Sequence, residues 1–355
     1  MYYMKRFKII VLCLFTTMSF SACSNVEKQK EDINVIDFKN PKKVCFGRIE
    51  LTVPKETEVE YSKFNYNGSD LEVDESIKTY ESYQKLVNDK IQSLKNEPHE
   101  TESVLLKSEI KGPVQQQGRS VSHIIVYRSS KYTVEAYEIY GYLYLRSGKL
   151  LILKSGSDND RLDNAMTRMI HNLKSIQLRN KKGETQAGLC WKEFFIIDDM
   201  SKNIPFMGGY LHFRFPSYPG VRADIEHRVR LESDVALIEL MKKRQQELPA
   251  MVKVQLKIDN LREHKKIING LAGEEVLNHI FERAHFERGF EDGSWQYLGN
   301  LENDNDPYIQ FTFESAEMVN PDESFYSSIS QKNAIYLNDF ILNSLQISPN
   351  NKMGK

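Results

Sequence analysis

Residues 221–232 impose the tightest constraint on the fold. Val221, Ala223, Ile225, His227, Val229 and Leu231 fall on one side of an extended chain, and Arg222, Asp224, Glu226, Arg228, Arg230 and Glu232 fall on the other. Side chains alternate faces along a strand, so this segment suits a sheet with one face packed and one face wet. Val252, Val254, Leu256 and Ile258 alternate with Lys253, Gln255 and Lys257 in the same way. A parallel sheet buried on both faces would instead need continuous Val/Ile/Leu runs. The expected class is therefore α+β: two similar domains, each an antiparallel sheet with helices packed on one face.

The chain reads as one plan used twice. Cys45 opens Cys-Phe-Gly-Arg-Ile-Glu-Leu-Thr-Val-Pro, a strand over Ile49–Val53, and Cys190 opens Cys-Trp-Lys-Glu-Phe-Phe-Ile-Ile. A helix follows in each half. Tyr80, Tyr83, Val87, Ile91 and Leu94 recur at helical spacing before Pro98, and Leu237, Leu240, Met241 and Leu248 do so before Pro249. Proline disfavours helix in the residue before it, which gives both stops a cause. Strands are expected over Val121–Tyr127, Tyr132–Tyr140, Tyr142–Leu145, Leu150–Leu153, Met251–Ile258 and Tyr308–Glu314. Closing helices carry Leu162, Ala165, Met166, Met169, Ile170, Leu173 and Ile176 in one half and Ala334, Leu337, Ile341 and Leu345 in the other. The endings rhyme as Ser175-Ile-Gln-Leu and Ser344-Leu-Gln-Ile, and the second half carries its insertions mostly after Pro249.

The first residues read as an address. Lys5, Arg6 and Lys8 precede the apolar run Ile9–Phe20, and Ser21-Ala22-Cys23 follows. A basic start, a short apolar core and small residues before the cut make a secretory signal. The small-small-Cys ending resembles a bacterial lipoprotein signal, which implies lipidation of Cys23. By the same resemblance Ser24, in place of Asp, favours the outer membrane of a Gram-negative cell, facing the periplasm. The domain plan is then signal 1–22, tether 23–42, first domain 43–179, linker 180–187, second domain 188–348 and tail 349–355. Losing residues 1–22 removes Lys5, Arg6 and Lys8 and no acid, so a formal charge of −1 becomes −4. Of four cysteines, Cys45 and Cys190 remain once Cys13 is removed and Cys23 is lipidated. In an oxidising compartment such a pair invites a disulfide; two buried thiols are the alternative.

Composition narrows the partners. With 48 basic and 49 acidic residues the chain has no general basic footprint for nucleic acid. A mean hydropathy of −0.51 fits a body that meets the membrane through its lipid anchor only. The sequence lacks a Gly-x-Ser-x-Gly elbow, a phosphate loop, a dinucleotide fingerprint, His-Glu-x-x-His and Cys-x-x-Cys, so no catalytic, metal or cofactor residues are assigned. Three weaker chemical candidates are His279 and His285 flanking Glu282 on a helix starting near Gly273, the carboxylates Glu274 and Glu275, and His227 on an apolar strand face. The bland readings are a solvated helix, acids suited to a helix first turn and a satisfied core histidine.

One region combines acids, aromatics and glycine. Glu287–Asp306 holds Phe290, Glu291, Asp292, Trp295, Asp304 and Asp306 among Gly289, Gly293 and Gly299. Such a segment makes an adaptable binding loop, or a hairpin with Trp295 turned inward. Its six named residues, with Arg222 and Arg228 on the charged strand face, are the candidate partner-binding residues.

Taken together, the signal, Cys45–Pro54, Gly188-Leu-Cys-Trp191 and Gly270-Leu-Ala-Gly-Glu-Glu275 resemble the two-domain immunity lipoproteins that neutralise phospholipase effectors of type VI secretion systems. The resemblance covers about residues 43–348. It implies a non-enzymatic, periplasm-facing inhibitor whose partner is a cognate phospholipase effector, with no small-molecule cofactor. Two other readings remain open on the residues: an outer-membrane assembly or envelope-maintenance lipoprotein, and a periplasmic hydrolase using Glu274, Glu275 or His279.

Overall fold

The computed structural model describes residues 38–112, 120–180, 186–198, 207–283, 285–303, 305–317 and 326–348. Cys23, the signal and most of the tether, and the tail lie outside them, as does most of the segment expected to link the halves.

The first half runs β1 (Lys42–Phe46), β2 (Ile49–Val53), β3 (Glu58–Tyr66), β4 (Ser69–Asp74), α1 (Tyr80–Asn96), β5 (Leu106–Lys111), β6 (Ser120–Arg128), β7 (Ala136–Leu145), β8 (Lys149–Asp158), α2 (Leu162–Ser175) and β9 (Ile176–Leu178). The second runs β10 (Gly188–Trp191), β11 (Phe194–Ile197), β12 (Met207–Arg214), β13 (Arg222–Arg228), α3 (Leu237–Glu247), α4 (Ala250–Gln255), β14 (Leu256–Ile268), β15 (Leu271–Glu282), β16 (His285–Tyr297), β17 (Tyr308–Glu314), β18 (Ala316–Glu317), β19 (Tyr326–Ser327), α5 (Gln331–Ser344) and β20 (Gln346–Ile347).

The duplication is visible in the strand order. One antiparallel sheet of twelve described strands runs β14-β15-β16-β17-β13-β12-β3-β4-β8-β7-β6-β5. Read outward from the β3–β12 pair, the first half gives 3-4-8-7-6-5 and the second 12-13-17-16-15-14, the same order twice. The α+β, antiparallel expectation holds, with two differences. The two sheets are joined edge to edge through β3 and β12 rather than standing apart. Helices also cover both faces: α2 and α5 pack in the main core, while α1 packs on the other face over Ile125, Tyr142, Tyr144, Leu150 and Ile152.

The halves also exchange their ends. The β1–β2 hairpin of the first half pairs with β20 at the end of the second, and the β10–β11 hairpin pairs with β9 at the end of the first. Phe46, Ile49, Leu51, Trp191, Phe194 and Ile196 from these hairpins bury in one core with Phe64, Leu211, Phe313, Leu337 and Ile341. Each half therefore needs the other to complete its sheet and its core.

Local chemistry explains the elements. Thr79 caps α1 reciprocally with Ser82, and Tyr83, Val87, Ile91 and Leu94 form its buried stripe. Asn67-Gly68 and Asn269-Gly270 both take positive φ and turn the β3–β4 and β14–β15 hairpins. This is the two-residue turn that Asn-Gly favours. It corrects the helix expected near Gly273: Glu274, Glu275, His279 and Glu282 lie on strand β15. Met251–Ile258 is likewise helix through Gln255 and strand only from Leu256, because the ladder with β15 begins at the Leu256–Glu282 pair. The strands expected on either side of Gly141 are one strand, β7, which begins at Ala136 and leaves Tyr132–Glu135 outside it.

The hairpin tips meet at Gly47. Its φ is +54°, and a Cβ there would lie 2.6 Å from the ring of wholly buried His227. The Arg48 main-chain N–H donates to His227 Nε2 at 3.2 Å. Burial first, and Arg48 second, hold the His227 imidazole down to about 3, so it stays neutral. Gly47→Ala meets both a backbone and a packing conflict and is expected to lower stability by about 3 kcal/mol, read as a urea midpoint shift. A shift under a quarter of that size would show the tip to be plastic.

Candidate partner-binding site

The face of the large sheet opposite the main core is covered at its two ends and open in the middle. Helix α1 covers the first-half end, and α3 covers the second-half end, where Glu274 Oε2 accepts from the Ile238 main-chain N–H at 2.9 Å. Glu274 shares a face, through successive cross-strand pairs, with Gln296, Gln310, Glu226 and Tyr210. Between the helices no described helix covers β4, β3, β12, β13 and β17, a floor on the order of 20 Å wide at about 4.8 Å per strand spacing.

The period-2 alternation of β12 and β13 sets what this floor presents. Leu211, Phe213, Ala223, Ile225 and His227 bury toward the core. Tyr210, His212, Arg214, Arg222, Asp224, Glu226 and Arg228 face outward. Cross-strand partners hold these groups in place. Arg222 Nε donates to Glu314 at 2.9 Å, Tyr210 donates to Glu226 at 2.9 Å, and His212 Nδ1 lies 2.6 Å from Asp224. Arg214 pairs with Glu60 at 3.2 Å, and Lys154 pairs with Glu72. Arg228 is more deeply set: it forks onto Asp234 at 2.7 Å through each terminal nitrogen and stacks 3.9 Å from the Tyr308 ring centre. Toward α1, Lys90 sits 4.5 Å from the ring centre of Tyr127. The result is a pre-ordered, mixed-charge surface with an exposed aromatic, Tyr210, among its paired charges.

The sequence-named residues divide. Arg222 and Arg228 lie on the floor, and Asp292 lies at its α3 margin, opposite Glu314. Val229–Glu232 leaves the strand, and Arg230 donates to the Gly299 carbonyl at 3.1 Å. The adaptable loop proposed for Glu287–Asp306 is corrected: most of it is strand β16, where Phe290, Glu291 and Trp295 are buried, Glu291 and Trp295 on the core face and Phe290 on the opposite one. Trp295 is wholly buried and donates to the Lys266 carbonyl at 3.2 Å; Glu291 accepts from Ser315 Oγ at 2.7 Å and lies 3.0 Å from His279 Nδ1. Buried in this way, those three side chains offer little surface to a partner. Asp306 accepts from the Tyr297 hydroxyl at 2.8 Å in the following turn, and Asp304 lies outside the described residues.

The carboxylate candidates also separate. Glu274 and Glu275 are neighbours on a strand and point to opposite faces. Glu275 is buried among Lys266 at 2.8 Å and Arg262 and His264, both at 3.3 Å. Among the described residues no group of His, Cys, Asp or Glu is arranged to hold a metal ion. The floor residues of β12 were legible as Tyr210-Leu-His-Phe-Arg214, a period-2 run in its own right, yet sequence reasoning passed over them.

Asp292 carries a pH prediction. Burial, then Glu314, push its carboxyl up to about 6 against the pull of Arg244, Arg222 and an Asn278 hydrogen bond. An acid whose folded pKa lies above its unfolded value costs the fold stability as pH rises through that interval, and the cost levels off above about 6. Asp292→Asn is therefore expected to stabilise by about 1–2 kcal/mol at pH 7.5 and little at pH 4, compared by urea unfolding. Equal effects at both pH values would contradict this.

Cys45 and Cys190 are joined in a disulfide with Cα atoms 5.6 Å apart, buried against Phe195. Around it Gly47 and Cys190 exchange two main-chain hydrogen bonds of 2.8 Å. The bond thus joins the first hairpin of one half to the first hairpin of the other, behind the floor.

Comparison with solved structures finds the same fold. The apo structure of the T6SS immunity protein TplEi from Pseudomonas aeruginosa superposes with a TM-score of 0.72 at 19% identity, over 88% of this chain and 99% of that one. A chain of the Tle4–Tli4 complex crystal structure gives the same values. TplEi complexed with an "L" peptide gives a TM-score of 0.68 at 18% identity, over 88% of this chain and 100% of that one. No curated protein matches the sequence. Residues 42–187 match the Tle cognate immunity protein 4 N-terminal domain, and residues 184–350 match its C-terminal domain. With both domains matched in order along the length of the described fold, this chain belongs to the Tle cognate immunity protein 4 family.

Proposed function

We propose that the chain binds a cognate phospholipase effector of a type VI secretion system and inhibits it, with the floor between α1 and α3 as its docking surface. The observation that carries the surface is the bare central strands, whose outward side chains are already paired and whose Tyr210 stands 47% exposed among them. Groups ordered before binding lose less freedom on docking, and an exposed aromatic among fixed polar groups makes an interface anchor. The inhibitor acts by occupying the effector, with no turnover of its own.

Its working place is the periplasmic side of the outer membrane, held by lipid on Cys23. The lipoprotein-type sequence around Cys23 supports this, and so does the buried Cys45–Cys190 bond, because such bonds persist in oxidising compartments. An anchored inhibitor meets its target at raised local concentration where phospholipid would be attacked. Co-expression tests both parts. Cells making a periplasm-directed effector survive when the full chain is present, and lose protection when residues 1–22 are deleted. Protection that is independent of export would refute the location, and no protection by the full chain would refute the function.

A further inference from the structure

The chain enters the described fold through an aromatic contact. Phe38, just ahead of β1, sits against two rings of α5: Tyr336 edge-on at 4.8 Å and Phe340 tilted at 4.6 Å. Both separations lie in the range that aromatic pairs favour. Phe38 is half-buried and packs onto the main core, whereas Lys39 and Asn40 after it are exposed. Ala334, Leu337 and Ile341 are buried on the inner face of α5, so Tyr336, still 55% exposed, stands on its outer face with half-buried Ile335 beside it. The sequence upstream of Phe38 changes character. Ser24–Asp32 holds one apolar residue, Val26, whereas Ile33-Asn-Val-Ile-Asp-Phe38 holds four. A purely flexible tether has no use for such a cluster, because polar composition is what keeps a chain open in water. Terminal segments stay loose unless tied down, and Phe38 shows where this one is tied.

From this arrangement we infer that the outer face of α5 is the dock for Ile33–Phe38, latching the tether to the body behind the docking floor. Helix α5 packs on the core side of the large sheet, opposite the floor, and the latch lies on that side with it. With the latch closed, a tether starting at Cys23 is free only as far as Asp32, about 35 Å at full stretch; opened as far as Pro41 it would reach about 65 Å. A compact body of this size is about 50 Å across. The short tether therefore keeps the α5 side toward the membrane and turns the floor outward, where an arriving effector is met. The orientation rests on the proposed lipid at Cys23, and the latch itself does not.

Spin labels test the latch. In a chain of Ser24–Lys355 the remaining cysteines, Cys45 and Cys190, are bonded to each other, so an introduced cysteine is the one thiol open to labelling. A nitroxide on Asn34→Cys should tumble about tenfold more slowly than one on Lys28→Cys. Tyr336→Ser should release it to the Lys28→Cys rate with the circular dichroism melt unchanged. Should that change lower the melt, Phe38→Ser is read in its place. A label on Asn34→Cys as mobile as that on Lys28→Cys, or one indifferent to both substitutions, overturns the latch. For the orientation, the full chain is taken from membranes into proteoliposomes carrying a lipid dye. Energy transfer should be several-fold greater from a donor on Lys332→Cys of α5 than from one on Asp70→Cys of the floor, and nearly equal once Tyr336→Ser opens the latch. Equal transfer in the latched chain overturns the orientation. A full chain that stays off the membrane refutes the lipid at Cys23 and the orientation with it, while the label on Asn34→Cys still decides the latch.

Discussion

Replacing Cys45 and Cys190 with serine is expected to lower the free energy of unfolding by about 5 kcal/mol. The magnitude follows from the 145 residues separating the two cysteines. A cross-link that closes so long a loop removes much of the freedom of the unfolded chain, and in the chain-entropy treatment that term grows with the logarithm of loop length. The position adds to the effect. The bond joins the leading hairpins of the two halves, and each hairpin completes its small sheet with the closing strand of the opposite half. Without the bond, opening at the hairpin tips would also uncover Phe46, Trp191 and Phe194. Urea unfolding of the oxidised chain against the double serine variant measures the difference. A loss under about 1 kcal/mol would mean that the β3–β12 junction and shared core hold the halves together unaided. Reduction of the bond is expected to weaken the fold in the same way, so a chain held in a reducing compartment should be the less stable form.

The largest expected effect on binding comes from the floor. Tyr210→Ala removes the exposed aromatic at its centre and is expected to weaken effector binding by about 2 kcal/mol, roughly thirtyfold. Arg222→Glu sets an acid against Glu314, and Arg214→Glu sets one against Glu60, so each reverses a fixed charge and leaves its neighbour repelled. The three changes together are expected to weaken binding about a thousandfold, read by calorimetry, with the melting temperature within a few degrees of the parent. Arg228 is left out of this test because its fork onto Asp234 and its stack on Tyr308 tie it to stability. Full affinity in the triple variant would move the docking surface elsewhere.

How far the sequence disclosed this arrangement depends on the kind of signal. The floor was legible because alternation over Val221–Arg228 survives in β13 as a buried and an exposed face. The long helices were legible because stripes such as Tyr83, Val87, Ile91 and Leu94 are buried in register. The repeated strand order was foreshadowed by the matching Cys45 and Cys190 segments. The exchange of β9 and β20 was not, since three-residue and two-residue strands carry no periodicity and their partners lie in the opposite half. Glu287–Asp306 misled because acids and glycines resemble a loop. On β16, however, Gly293 is where a Cβ would come within 2.8 Å of Asn338, and buried Glu291 is satisfied by Ser315 and His279. Glu274-Glu275 misled in the opposite sense: they resemble a helical first turn until Asn269-Gly270 is read as a hairpin turn.

Stoichiometric inhibition of the effector is the direct consequence of docking on the floor. The cognate phospholipase effector would be titrated with the purified chain while hydrolysis of a phospholipid substrate is followed. Activity is expected to fall in proportion to added chain and to level off at a fixed molar ratio, with the Tyr210, Arg214 and Arg222 triple variant failing to inhibit at the same concentrations. Undiminished hydrolysis in excess of the unaltered chain would contradict it.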